Sequence, residues 1–108
     1  MNYCDKEARE RKELAPGVSA KTFWGDRMLM AHVLLAPGSE VPLHSHPQEQ
    51  CGIVLKGEIV FDINGEVRSL KEDDSYLIPS GVEHGARTGA VSAEVLDVFS
   101  PVREDLKY

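Results

Sequence analysis

The sequence predicts an all-β protein, a sandwich or small antiparallel barrel, and three observations carry that prediction. Nine short apolar or β-branched runs follow one another between residues 18 and 99, cut by Gly, Pro, Asn and Asp at the spacing of strand turns. Asn64-Gly65 stands between two of these runs, and both central positions of a type I′ hairpin turn need positive φ. No stretch carries a sustained helical stripe or an internal repeat. Functional side chains are therefore expected on strands and strand ends.

Taken in order, residues 5–14 are charged and too poorly periodic to assign, so 1–16 reads as a solvated lead-in or arm and 17–108 as the domain. Runs 18–24 and 28–36 are separated by Gly25-Asp26, and Ala36-Pro37-Gly38 marks the next reversal. Runs 41–44, 50–56, 58–63, 66–70, 75–78, 84–88 and 92–99 complete the set. Between residues 28 and 35 both parities are apolar, which predicts a strand buried on both faces. His32 lies within it and reads as a hydrogen-bonded filler or surface residue rather than a ligand. In the last run, alternation puts Val95, Asp97 and Phe99 on one face and Leu96 and Val98 on the other. A carboxylate in so apolar a run needs a partner or a task.

At 108 residues, 42% hydrophobic and 28% charged, the chain is sized for one core. A net charge of -6 argues against nucleic-acid and anionic-membrane partners. The N-terminus is charged where a signal peptide needs an apolar segment, and no apolar run approaches spanning length, so a cytoplasmic location is expected. Cys4 and Cys51 form neither a disulfide framework nor a CxxC pair. Cys51 follows Gln50, so it should point to the opposite face and pack as a small hydrophobe.

The chemical signal is concentrated in residues 38–57, GSEVPLHSHPQEQCGIVLKG. His44 and His46, one residue apart on extended chain, share a face. Gln50 follows, and His84, in the turn PSGVEH, is placed to return beside them. Imidazoles are the commonest protein metal ligands, so a divalent transition metal (zinc, nickel, iron, cobalt or manganese) is the expected cofactor. Alternation sets Gln50, Gly52 and Val54 on one face and Glu49 on the other; Glu49 could ligate only if the strand shifted by one residue.

The spacing Gly38, His44, His46, Gln50, Gly57 resembles the first motif of the cupin superfamily, and Pro79, Gly81 and His84 resemble the core of its second. The resemblance implies a single-domain cupin, a small barrel or jelly roll. Three positions depart from the pattern: Gln50 stands for the usual carboxylate, Asp73 for an opening glycine and Thr88 for a closing asparagine. An amide in place of a carboxylate leaves a divalent ion's charge uncompensated and hence more electrophilic, and counts against facial-triad oxygen chemistry.

HSHPQEQCGIVLKGEI, PSGVEHG and the ending LDVFSPVRED together are similar to the KdgF family of pectin-degradation cupins, from about residue 17 to residue 105. That resemblance implies metal ligands at His44, His46, Gln50 and His84, and catalytic roles for Asp97, Phe99 and Arg103. By spacing alone, Arg103 reads more simply as a surface ion pair with Glu104 or Asp105. The implied activity is the opening of 4,5-unsaturated monouronates, derived from pectin or alginate, to linear keto acids. Analogy with small cupins also implies a homodimer. The competing readings are a non-catalytic metal- or sugar-acid-binding module or sensor, and a cupin dioxygenase.

Overall fold

The computed structural model describes residues 2–108, which form nine strands and two single-turn 3-10 helices. The strands are β1 (Lys12–Ala15), β2 (Val18–Trp24), β3 (Leu29–Leu35), β4 (Glu40–His44), β5 (Glu49–Ile63), β6 (Glu66–Lys71), β7 (Ser75–Ile78), β8 (His84–Arg87) and β9 (Ala93–Ser100). All pairings are antiparallel, in the order β1-β2-β3-β9-β5-β8-β4, with β6 and β7 also on β5. The fold is the expected small all-β barrel.

β5 is the strand on which the barrel turns. Its first half pairs with β9 and β7, and its second half with β6 and β8, so it passes from one side of the barrel to the other. Two separate runs, 50–56 and 58–63, were expected here; they are one strand of 15 residues. Gly57 makes the continuity possible. It takes φ +80, a Cβ there would collide with the Ser92 carbonyl, and the register with β9 shifts just before it, between Val54 and Lys56.

The core fills from both sides. Val18, Leu29, Val54, Val95, Ile59 and Ile78 are fully buried, each stabilising the fold by roughly 1.5–3 kcal/mol through burial. The β5–β6 hairpin closes as expected, with Asn64 at φ 53 and Gly65 at φ 83; the Gly65 N–H also donates to the Asp62 carboxylate at 3.0 Å.

Three expectations need correction. β3 is buried on one face only: Leu29, Ala31, Val33 and Leu35 face the core, whereas Met28 and Leu34 are exposed and Met30 and His32 half-buried. Cys51 points to the opposite face from Gln50, as alternation requires, but it is exposed rather than packed, lying on the outer sheet surface beside Leu77 and Val98. Both errors have one cause, that this apolar outer surface carries no second layer among the described residues. β1, absent from the nine runs, is a solvated edge strand pairing Lys12 with Ala20 and Glu13 with Ser19. Its charges hide it from any search for apolar alternation. His32 accepts from Arg11 at 3.2 Å through Nδ1 and bonds Glu94 at 2.6 Å through Nε2, the hydrogen-bonded role that its sequence context suggests. Among the described residues no helix is long and apolar enough to cross a membrane.

Candidate metal centre

Strand ends and one docked turn assemble the histidines. His44 ends β4 and pairs directly with His84, which opens β8. The turn before His84 is fastened to the loop carrying His46: the Gly81 N–H donates to the His46 carbonyl at 2.9 Å, and the Ser80 hydroxyl to the Pro47 carbonyl at 2.5 Å. Gly81 supplies φ +77 for that turn. One ligand nitrogen from each of His44, His46 and His84 lies within 4.8 Å of the others. Gln50, the second residue of β5, is buried beside them, while Glu49 is exposed on the other face.

Hydrogen bonding sets the rings for a cation. Each imidazole directs Nδ1 at a backbone carbonyl two residues away: His44 at Pro42 (2.8 Å), His46 at Gln48 (3.0 Å) and His84 at Val82 (2.9 Å). A carbonyl can only accept, so Nδ1 carries the proton and Nε2 presents its lone pair. Burial lowers the pKa of His46 and of His84 below the ordinary value, and the Arg103 charge lowers both further, which favours the neutral, ligating form. His46 Nε2 then lies 3.2 Å from Gln50 Oε1, lone pair towards lone pair. Two acceptors so placed are reconciled by a cation held between them, so the donor set fits a divalent metal.

The departures at Asp73 and Thr88 prove structurally conservative. Asp73 adopts φ 74, the left-handed conformation for which a glycine would be expected. Thr88 is buried and ties the 36–39 turn to β8, its hydroxyl accepting from the Ser39 N–H (3.0 Å) and donating to the Ala36 carbonyl (2.6 Å).

Strand register brings β9 against this centre. Gln50 pairs with Phe99 and Gly52 with Asp97, so the inward face of β9 continues the histidine cluster. The Phe99 ring lies 5.6 Å from His46, edge to face. Asp97 is 7% exposed, and burial raises its pKa to about 6, with the Tyr76 and Gln50 hydrogen bonds and the Arg103 charge acting in the opposite direction.

Tyr76 is the residue that sequence reasoning missed. Across the sheet Gly52 pairs with Tyr76 on one side and with Asp97 on the other, and the tyrosine hydroxyl donates to the carboxylate at 2.5 Å over the missing side chain between them. A Cβ at Gly52 would overlap both groups. The available signal was Gly52 itself, which interrupts the inward parity of Gln50 and Val54. Burial, then the Asp97 charge, pushes the Tyr76 hydroxyl far above its ordinary pKa, so it stays a proton donor to the carboxylate.

Arg103 follows the end of β9. Its guanidinium stands 5.1 Å from the centre of the Phe99 ring and also makes the ion pair with Asp105 that its spacing suggested, at 2.6 Å. The ion-pair reading of this residue therefore describes it, and Arg103 also borders the cavity. His44, Gln50, His84, Asp97, Phe99 and Arg103 all line one cavity of about 510 Å³, a volume suited to a small metabolite.

Comparison with known proteins places these observations. Residues 31–99 match the family model described as Cupin domain. The fold is similar to that of KdgF from Halomonas sp., with TM-score 0.89, 25% identity, and 98% of each chain covered. The sequence is similar to an oxalate-binding protein of Thermotoga maritima, 35% identical over 89 residues, covering 81% of this chain and 74% of that protein. It is also 32% identical over 75 residues to the tetracenomycin polyketide synthase protein TcmJ of Streptomyces glaucescens, covering 68% of this chain but only 50% of the relative.

Proposed function

This chain belongs to the cupin family, and we propose that within it the protein is a cytoplasmic, metal-dependent enzyme that opens 4,5-unsaturated monouronates to linear keto acids. The observation that carries the reading is the sharing of one cavity by two histidines of the cluster, His44 and His84, with Gln50, a buried carboxylate and a guanidinium. In this proposal His44, His46, Gln50 and His84 hold the metal. A bound divalent ion would supply positive charge against which negative charge developing on a substrate oxygen is stabilised.

The chain's own groups perform the remaining work. Arg103 binds the substrate carboxylate, and Phe99 supports the guanidinium from below and closes the cavity wall against His46. Asp97, buried on the inward face of β9 and hydrogen-bonded by Tyr76, is the group that takes the proton of the anomeric hydroxyl. As that O–H breaks, C1=O forms and the bond from C1 to the ring oxygen opens. The former ring oxygen becomes the enolate oxygen on C5; returning the Asp97 proton to C4 yields the C5 ketone. The sum is an isomerisation with no redox change. Tyr76 holds one carboxylate oxygen of Asp97 throughout, and the Gln50 hydrogen bond helps to orient the carboxylate.

A second reading is favoured by one observation, the similarity to the oxalate-binding protein: the same cavity would bind a small carboxylic acid without turnover. Incubating metal-loaded protein with a panel of unsaturated monouronates, with products identified by NMR, separates the two. Open-chain keto acid supports the enzyme, and silence across the panel, with carboxylic acids still bound, supports the binding module. The homodimer is likewise a proposal, for which the exposed edge strand β1 offers a surface, and light scattering in solution decides it.

A further inference from the structure

The ion pair between Arg103 and Asp105 uses one particular edge of the guanidinium. Nε donates to one Asp105 oxygen at 3.2 Å and Nη2 to the other at 2.6 Å, a side-on bidentate pair. A guanidinium has five N–H donors, and its two terminal nitrogens form a second fork at the far end. Among the described residues only Asp105 is hydrogen-bonded to this guanidinium, so the second fork is not taken by the protein. The backbone on either side is fixed as well. Val102 and Leu106 are buried, and the Thr22 hydroxyl donates to the Leu106 carbonyl at 2.6 Å. Arg103 is thus held at three points, by the anchored segment, by the Phe99 face and by Asp105, while Asp105 itself is largely exposed.

We infer that Asp105 is a positioning residue for carboxylate recognition: by occupying the side-on edge of Arg103 it orients the free end-on fork towards a ligand carboxylate in the cavity. The inference rests on the reading that Arg103 anchors a carboxylate. It assigns Asp105 the opposite role from an internal competitor, which would have to leave before an acid could bind. The sign of a substitution separates the two. Removing the pin frees a long side chain that must be ordered again on binding, which weakens affinity by roughly three- to tenfold. Removing a competitor would strengthen it. Asparagine keeps an oxygen for the Nε donor and so retains much of the pin, whereas alanine retains none.

The test is titration of the full chain with sodium D-galacturonate, and with D-galactose as the neutral control, by NMR or calorimetry at equal metal content in every variant. The wild type is expected to favour galacturonate over galactose, Asp105→Ala to weaken galacturonate roughly three- to tenfold with galactose unaffected, and Asp105→Asn to stay within about twofold of wild type. An Asp105→Ala variant that binds galacturonate as well as or better than wild type overturns the positioning role while leaving Arg103 as anchor. A wild type without preference for the acid removes the anchor itself, and the inference with it. Asp105 is exposed enough that neither variant threatens the fold, which thermal unfolding verifies.

Discussion

Asp97→Asn tests whether the cavity keeps a carboxylate at the expense of stability. Burial raises the Asp97 pKa from the ordinary 3.8 to about 6. An acid whose pKa is higher in the native than in the unfolded state makes the native form hold more protons across that interval, so stability falls as pH rises through it. At about 1.4 kcal/mol per pH unit, the fall amounts to ~3 kcal/mol by neutral pH. Asparagine does not titrate and still accepts from Tyr76, but it disturbs the contact with Gln50, at a cost of about 1 kcal/mol. The metal-free variant should therefore be about 1 kcal/mol less stable than wild type near pH 4 and about 2 kcal/mol more stable near pH 7, the two curves crossing between. Urea unfolding of chelator-treated protein across this range measures the difference. Curves that run parallel from acid to neutral pH would refute the reasoning, since they would mean that Asp97 titrates alike in both states.

Two further outcomes follow from the same geometry. Gly52→Ala places a Cβ where the Tyr76 hydroxyl and Asp97 carboxylate meet, and should cost roughly 1–3 kcal/mol in urea unfolding while lowering kcat more than any loss of folded protein explains; a variant of wild-type stability and activity would show that the row has slack. Because burial lowers the pKa of His46 and His84, these rings remain neutral below the ordinary 6.5, so metal content after dialysis should persist somewhat below that pH and be lost on further acidification. Metal lost already on the alkaline side of 6.5 would contradict this.

What the sequence made legible was whatever a side chain's parity or a turn's chemistry dictates. The Asn64-Gly65 turn, the inward row Val95, Asp97, Phe99 and the opposite facing of Glu49 and Gln50 all follow from alternation or positive φ, both local properties. What was not legible depends on partners. Gly57 looks like a turn residue beside Lys56 and Glu58, and only the β9 backbone crossing it shows that it carries a strand around a corner. Cys51 and the outward Met30 and Leu34 of β3 are as apolar as core residues, and nothing local reveals which of them the core covers. Tyr76 and Asp97 are 21 residues apart and meet only because Gly52 lies between their strands. The two-residue spacing of Arg103 and Asp105 shows a possible ion pair but not which edge of the guanidinium remains free.

The central claim is that the carboxylate on β9 and the metal centre act on one substrate. It is tested most directly by following the alkene ultraviolet absorbance of a 4,5-unsaturated monouronate with metal-loaded wild type and metal-loaded Asp97→Asn, matched for metal content. The account predicts decay of the absorbance with wild type and a rate ~10²–10⁴-fold lower with the variant. Equal rates for the two proteins would contradict it.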